Sequence, residues 1–360
     1  MMSQREDLKY LLALNKIPGI GCKRFMSLLE YYKNGKTIWN LSKKDLMYVP
    51  NIDEKVSDSI IKQRTIIDPD KELLETIKKG INVVTIFDDN YPFLLKNIYD
   101  PPPIIYFKGE LSQDKDNVSI AVVGSRKPTY YGRYVAEKIS KQLALEGITV
   151  VSGMAIGVDT FAHKGSLAGG GRTIAVLGSG IDVPYPNRNI NLMMEIAMNG
   201  AVISEFPPGT KPLPAHFPMR NRIISGLSLG ILVVEAGARS GALITADCGL
   251  EQGREVFSVP GNITSVNSKG TNRLIKQGAK LVDSVEDILE EFCLINLERS
   301  SNNDFKDNEV DDELSEEEKL VMQNIIGQNI TTDYIVNMTG FSPKKVNLIL
   351  SKLELKGKIK

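Results

Sequence analysis

Residues 119–126, with the sequence SIAVVGSR, join an uncharged run of branched apolar residues to an abrupt stop at Gly124. Such a run is typical of a strand that is buried on both faces of a parallel sheet. Residues 130–146 follow with helical spacing of their apolar positions. The two segments therefore predict a strand followed by a helix, and the loop between them lies where open α/β sheets bind their ligands.

The same alternation of strand and helix continues to about residue 294. Six apolar runs, of which 119–123 is the first, each precede a helical segment, and a seventh at 279–282 precedes a last helix. Regular alternation over this length predicts a doubly wound, Rossmann-like parallel sheet with helices on both faces. We assign this domain to residues 118–294. Residues 80–117, which hold two short extended pieces, are predicted to be a connecting strand and joint.

The strand-to-helix loops of this domain should emerge at one edge of the sheet, and nearly all are rich in glycine. Glycine leaves backbone N–H groups open, and a neighbouring guanidinium adds positive charge, so such a loop suits a phosphate. Several loops on one edge predict a trough for several phosphates, in which Tyr185 and Phe217 offer flat faces for bases. The residues predicted to bind DNA or phosphate are Gly124, Ser125, Arg126, Gly153, Lys211, Phe217, Arg220, Asn221, Arg222, Arg239, Ser240, Gly241 and Lys269.

Each of these features also has a structural interpretation. Glycines at strand ends make tight turns in any α/β domain, Asn221 can brace its loop, and Asp159 can cap a helix. Phe217 suits core packing and base stacking equally well. Arg220 and Arg222 begin a helix, where a cation opposes the macrodipole, and this favours anion capture over a purely structural role.

Composition and charge limit the class of protein. Hydrophobic residues make up 42% and charged residues 24% of the 360 residues, which is ordinary for a globular chain with a core. Basic and acidic residues number 44 each, so contact with a polyanion would depend on local clustering. Three cysteines and two histidines have no metal-ligand spacing, so we expect no metal, and no cofactor is predicted. Without a signal peptide or a membrane-length apolar run, we expect a cytoplasmic protein that contacts no membrane.

Residues 1–79 form a separate helical pattern, predicted to be a SAM/helix-hairpin-helix-like domain. Two helical segments flank residues 18–21, PGIG, which resemble the turn that brings backbone N–H groups to a DNA phosphate. A fainter copy has Asn51 and Asp53 in place of the glycines, and a carboxylate there would repel a phosphate. Both helix packing and DNA contact remain open for this domain, and we favour packing or protein contact.

The chain after residue 294 changes character. Residues 295–316 are acidic and poor in apolar side chains, which predicts a disordered acidic linker. Residues 317–360 return to helical spacing, with predicted helices at 317–326, 331–339 and 342–356. Their size and basic charge favour a winged-helix-like domain, for which contact with protein and contact with DNA are equally supported.

Four stretches of the sheet domain closely resemble the DprA/Smf family of DNA-processing proteins: AVVGSR at 121–126, VSGMAIGVD at 151–159, FPMRNRIISG at 217–226 and SGALITA at 240–246. The resemblance implies an extended Rossmann fold, a homodimer and sequence-independent binding of single-stranded DNA. It further implies loading of RecA recombinase during natural transformation. The preferred hypothesis is therefore a non-enzymatic protein that binds and protects incoming single-stranded DNA and transfers it to the recombinase. On this basis the DNA pocket would be lined by Ser125, Arg126, Phe217, Arg220, Asn221 and Arg222.

An alternative function uses the same loops for catalysis. Arg239-Ser240-Gly241 also resembles the glycine-rich turn of the lonely-guy phosphoribohydrolases, although no glutamate follows at their helical position and Asp247 stands there instead. Other enzyme signatures are weak, because the loop after residue 123 lacks dinucleotide-binding spacing and no nucleophile elbow is found. A nucleotide-processing enzyme of the phosphoribohydrolase type is therefore the second hypothesis, and a sensor of a small nucleotide is the third.

Overall fold

The structure is a computed structural model that describes residues 2–291, 320–322, 332–339, 341–342, 345–346 and 349–350. The chain divides into two compact units, Met1–Glu291 and Phe292–Lys360. Among the helices within these described ranges, none combines the length and the apolar character needed to cross a bilayer.

Six helices occupy the first 80 residues, and capping residues set where they begin. Asn34, Ser42 and Asp53 each accept a hydrogen bond from the first turn of the helix that follows. Asp68 does the same ahead of Pro69, which stands at the first helical position. The helices are α1 (Met2–Asn15), α2 (Cys22–Tyr32), α3 (Gly35–Trp39), α4 (Lys43–Leu46), α5 (Glu54–Arg64) and α6 (Pro69–Lys78).

Two related hairpins lie within these helices, one before α2 and one before α5. Gly19 and Asn51 take left-handed backbone conformations in the two turns, with φ of 92° and 68°. Arg24 ties the turns together, because its guanidinium donates to the carbonyl of Gly19 at 2.9 Å and to that of Asn51 at 3.0 Å. Asp53 caps its own helix, whereas Gly21 gives α2 no side-chain cap. The helical N-terminal region predicted from the sequence is confirmed, including the fainter second turn.

One sheet of nine strands forms the centre of the first unit. Its strands are β1 (Asn82–Thr85), β2 (Ile104–Gly109), β3 (Ser119–Val123), β4 (Thr149–Ser152), β5 (Thr173–Val176), β6 (Ala201–Ser204), β7 (Gly230–Val233), β8 (Glu255–Ser258) and β9 (Lys280–Leu281). Their spatial order is β1-β2-β6-β5-β4-β3-β7-β8-β9. Strands β3 to β9 are parallel, which confirms the predicted α/β class.

The sheet is wider than predicted at one edge. Strands β1 and β2 come from the segment 80–117 that we assigned to a connecting strand and joint. Strand β2 pairs antiparallel with β6, and β1 pairs antiparallel with β2 at the outer edge. The N-terminal helices share a continuous core with Tyr106 of β2 and Val202 of β6. The N-terminal helices therefore pack on the sheet within one compact unit, although the sequence pattern predicts them as a separate domain.

Helices cover both faces of the sheet. They are α7 (Phe93–Lys96), α8 (Gln113–Asp116), α9 (Tyr130–Leu145), α10 (Val158–Ala168), α11 (Ile190–Asn199), α12 (His216–Gly226), α13 (Gly241–Glu251) and α14 (Lys269–Lys276). Right-handed crossovers put α9, α10 and α11 on one face and α12, α13 and α14 on the other. All five residues of β3 are buried between these layers, as the apolar run at 119–123 predicted.

The second unit contains a small helical core. Its helix Thr332–Thr339 agrees with the predicted helix 331–339. Ser342 accepts a backbone N–H from the following turn, as expected of a cap. The predicted acidic linker 295–316 and most of the winged-helix-like domain 317–360 lie outside the described residues. The buried side chains of this core are Val321, Ile335, Val346 and Ile349.

Candidate nucleic-acid interface

The order of the strands reverses between β3 and β7. From β3 the chain moves outward through β4, β5 and β6, and it then returns to place β7 on the other side of β3. The loops that leave β3 and β7 therefore diverge from neighbouring strand ends, and such a switch point opens a crevice for a ligand. A cleft of about 850 Å³ lies here, between loop 124–127, loop 237–241 and the first turns of α12. We call it the switch-point cleft.

The structure brings most of the predicted binding residues together. Those that line the switch-point cleft are Gly124, Ser125, Arg126, Phe217, Arg220, Asn221, Arg239, Ser240 and Gly241. Gly153 lies directly behind its wall, in contact with Arg220. Lys211 and Lys269 are exposed beside the lining residues Pro212 and Asn267 but do not line the cleft, and Arg222 faces a different cavity.

The loop after β3 is fixed by its own backbone. A Cβ on Gly124 would lie 2.9 Å from the carbonyl oxygen of Glu235, so a larger residue would push this loop away from β7. The N–H of Ser125 donates to that same carbonyl at 2.7 Å. The hydroxyl of Ser125 accepts from the N–H of Lys127 at 3.1 Å. These contacts leave the Arg126 side chain exposed at the rim of the cleft.

An aromatic and cationic group forms one wall of the cleft. The guanidinium of Arg126 lies 5.3 Å from the centre of the Phe217 ring, within the range of a cation–π contact. The Tyr185 ring lies 5.5 Å from the Phe217 ring, at an angle of 43°. Phe217 is half-buried, so one part of its ring packs while another faces the cleft. The arrangement places flat aromatic rings beside an exposed cation.

Arg220 lies at the floor of the cleft rather than at its rim. Its side chain is 3% exposed and donates to the carbonyls of Gly153 and Val176. Atoms of Arg220 and Asp159 both lie 2.7 Å from the place where a Cβ of Gly153 would stand, so only glycine fits there. Burial raises the pKa of Asp159 and lowers the pKa of Arg220 to about 10, and each charge opposes the shift of the other. Arg220 therefore holds the loops after β4 and β5 in place.

Asn221 connects α12 to the loop after β7. Its side-chain amide donates to the carbonyl of Gly241 at 3.3 Å. Ser240 caps α13 by accepting from the N–H of Ala242. Arg239 is exposed at the tip of this loop, across the cleft from the loop after β3. The predicted bracing role of Asn221 thus agrees with its contacts.

Three exposed cations surround the mouth of the switch-point cleft: Arg126, Lys127 and Arg239. Within the described ranges, none of them has a carboxylate within the 4.0 Å that defines an ion pair. Cations without such partners are free to neutralise the charges of a ligand. The cleft therefore suits an anionic molecule that also presents flat rings.

Arg222 occupies a different environment. It forms ion pairs with Glu205 and, at 3.2 Å, with Asp100, and it donates to the Asp100 carbonyl at 2.7 Å. It lines a second cavity of about 1060 Å³, which we call the hairpin cavity, between the two N-terminal hairpins and helices α12 and α13. The carboxylates that pair with Arg222 are distant in sequence, so the pattern at 217–226 gave no sign of them.

Glu235 supports the cleft and was not predicted from the sequence. It is 3% exposed, and its carboxylate accepts from the Thr129 N–H at 2.9 Å and from the Thr129 hydroxyl. These bonds hold the loop between β3 and α9 against the end of β7. A charged residue directly after a buried apolar strand is the signal that would have identified it. The described residues contain no group of three or more potential ligands for a metal ion.

Comparison with known proteins gives a consistent family. The family model described as DNA recombination-mediator protein A matches residues 82–293. The DNA processing protein DprA of Bacillus subtilis is 46% identical over 215 residues, which is 60% of this chain and 72% of that protein. The protein Smf of Synechocystis is 38% identical over 291 residues, which is 80% of this chain and 73% of that protein.

Two solved structures are similar to this fold. The X-ray structure of DprA from Streptococcus pneumoniae has a TM-score of 0.70 at 39% identity, and covers 79% of this chain and 97% of that one. A structure of DNA processing protein A from Helicobacter pylori, described for its single-stranded DNA binding mode, has a TM-score of 0.53 at 27% identity, and covers 59% and 95%. With the family model, these relatives and this sheet topology in agreement, the chain belongs to the DprA/Smf family of DNA-processing proteins, described as DNA recombination-mediator protein A.

Proposed function

We propose that the protein binds single-stranded DNA in the switch-point cleft without regard to sequence. The observation that carries the proposal is the exposed Arg126 guanidinium beside the Phe217 ring at the switch point of the sheet. A strand needs repeated neutralisation of phosphates and stacking of bases, and every base has a flat face. The similarity to the Helicobacter pylori protein, whose structure concerns single-stranded DNA binding, supports the same ligand here.

We propose further that the protein acts by binding rather than by catalysis. The two buried carboxylates nearest the cleft already serve the fold, because Asp159 neighbours the Arg220 guanidinium and Glu235 holds Thr129. A carboxylate held in this way is poorly placed to activate water at a sugar. This argument favours a DNA-binding protein over the phosphoribohydrolase alternative.

The finer role that we propose follows the family. A recombination mediator would protect an incoming strand in the cytoplasm and transfer it to RecA recombinase during natural transformation. A homodimer would hold two clefts on one strand and thereby raise affinity through effective concentration. The family description as a recombination mediator supports this role.

Titration with oligothymidines of increasing length, and with mononucleotides, at two salt concentrations tests the proposal. We expect affinity to rise with length and to fall steeply with salt, because phosphate contacts release counterions. Tight binding of a mononucleotide with release of free base would instead favour the enzyme. Single-strand protection from nuclease and RecA filament formation on the bound strand would test the transfer role.

A further inference from the structure

Aromatic and basic side chains, most of them exposed, lie next to the switch-point cleft on the first two turns of α9 and α10. We propose that the DNA strand leaves the cleft across this surface, which would be a second binding site for single-stranded DNA. We call it the tyrosine patch, and its residues are Tyr130, Arg133, Tyr134, Phe161 and Lys164. The proposal rests on the proposed function of the cleft and extends it.

The tyrosine patch is continuous with the cleft through the backbone. Helix α9 begins three residues after Lys127, which lines the cleft. Helix α10 begins at Val158, whose N–H donates at 3.1 Å to the carbonyl of Ser125, and Asp159 of its first turn also lines the cleft. A strand that leaves Arg126 on this side therefore meets the first turns of both helices.

The aromatic part of the patch is unusually exposed. Tyr130 is 84% exposed and Tyr134 is 56% exposed. Residues four apart lie on the same face of a helix, so the two rings follow each other along α9. Large aromatic side chains contribute most when their faces are covered, and a nucleobase covers such a face. The spacing of the rings along one helix suits successive bases of a strand.

The cationic part of the patch comes from both helices. Arg133 of α9 and Lys164 of α10 lie over the Phe161 ring, at 5.8 Å and 6.0 Å from its centre. Neither cation has a carboxylate within 4.0 Å in the part of the chain that the structure describes. Glu137, one turn beyond Arg133, is the exposed acid that ends the patch along α9. Unpaired cations alternating with aromatic rings are complementary to a single strand rather than to an apolar protein surface.

The two helices hold the patch rigidly. The place of a Cβ on Gly165 is occupied by the Glu137 backbone, so α10 approaches α9 closely only because residue 165 is glycine. Close packing fixes the distance between the cations of the two helices. A surface that is already arranged loses little entropy when the strand binds.

Two lengths of labelled oligothymidine, about 6 and about 20 nucleotides, separate the patch from the cleft. Fluorescence anisotropy would compare the full chain with the double variant Tyr130→Ala/Tyr134→Ala and with Lys164→Glu. The matched control is Tyr31→Ala/Tyr48→Ala, which removes two exposed tyrosines from the N-terminal region, one on α2 and one in the turn after α4. We expect the patch variants to lose about fivefold or more in affinity for the long strand, and to bind the short strand as the unaltered protein does.

Three outcomes would overturn the patch. They are full affinity of the double variant for the long strand, equal loss at both lengths, and an unaltered protein that binds both lengths equally. In each of these cases binding in the cleft survives. Failure of the unaltered protein to bind either strand would instead remove the proposed function, and the patch with it. Thermal melting of each variant confirms that it is folded.

Discussion

The switch-point cleft and the hairpin cavity are both lined by arginines from the predicted binding set. Arg126 of the cleft and Arg222 of the hairpin cavity differ in exposure and in their contacts with acids. Arg126 extends from the rim of the cleft without a carboxylate partner among the described residues, whereas Arg222 is 12% exposed in its side chain and held by Glu205 and Asp100. A buried cation that is paired with two acids is costly to remove alone, whereas an exposed cation without an acid is available to a ligand. Arg222 is therefore fixed within the fold, whereas Arg126 at the rim of the cleft has the exposure that the proposed DNA contact requires.

The largest expected effect is a loss of stability when the largely buried Arg222 is removed. Arg222→Ala leaves the Glu205 carboxylate, whose side chain is 9% exposed, without a cationic partner and should lower the free energy of unfolding by about 3–5 kcal/mol. Urea denaturation measures this loss. The double variant Arg222→Met/Glu205→Leu removes both charges and should recover most of it. A stable Arg222→Ala protein with weak DNA binding would assign Arg222 to the ligand, as the sequence pattern suggested.

Arg126→Ala should reduce DNA binding and leave stability almost unchanged, which is the reverse of the effect expected for Arg222→Ala. The exposed side chain contributes little to the fold, so the free energy of unfolding should stay within about 0.5 kcal/mol. Affinity for single-stranded DNA should fall by about 1.5–3 kcal/mol, and the salt dependence should weaken by about one ion. Lys36→Ala, which removes an exposed cation from α3, is the control for net charge. Unchanged affinity would separate Arg126 from the DNA site.

Phe217 is intermediate between Arg222 and Arg126, because its half-buried ring both packs and faces the cleft. Phe217→Ala should weaken binding of single-stranded DNA by about 1–3 kcal/mol if a base stacks there. Phe217→Trp keeps a flat face and should retain most of the affinity. A lower melting temperature with intact DNA binding would make this ring a packing residue only.

The smallest effect concerns His163, a buried residue behind the cleft floor whose Nδ1 lies 2.7 Å from the Thr173 hydroxyl. Burial lowers the pKa of His163 to about 3, against about 6.5 in the unfolded chain. Between about pH 3 and pH 6.5, His163 therefore binds a proton in the unfolded chain but stays neutral in the folded chain. The contribution of His163 to stability is complete above about pH 6.5 and is lost as the pH falls towards 3.

His163→Asn removes this titration while keeping a donor for Thr173. Between about pH 7 and pH 5, the unaltered protein should lose on the order of 1–2 kcal/mol more than the variant in free energy of unfolding. Chemical denaturation at both pH values measures the difference. An equal loss of unfolding free energy in the two proteins would show that His163 contributes nothing to the acid sensitivity of the fold.

Local patterns carried the prediction of the parallel sheet. The run at 119–123 is buried along its whole length, and the glycine after it is required by the neighbouring Glu235 carbonyl. The antiparallel pairing of β2 with β6 was not predicted from the sequence, because β6 is about 100 residues away from β2. A short apolar run of four to six residues predicts a strand, but it does not predict which other strand it pairs with.

The candidate site was predicted with the same limits. Glycines and arginines at strand ends identified the walls of the cleft, because the loops of a parallel sheet share an edge. Whether an arginine points outward or lies buried beside an acid depends on residues elsewhere in the chain, such as Glu205 for Arg222 and Asp159 for Arg220. The sequence therefore located the loops and left the state of each charge undetermined.

The reversal of strand order at β3 also has a consequence for synthesis. The two facing loops begin at Gly124 and Gly237, so the ribosome makes them about 110 residues apart. A nascent chain that has not reached the second loop holds one wall without its counterpart. We expect this nascent chain to bind nucleic acid weakly until the second loop has been translated. The growing polypeptide would thereby avoid binding nearby RNA prematurely.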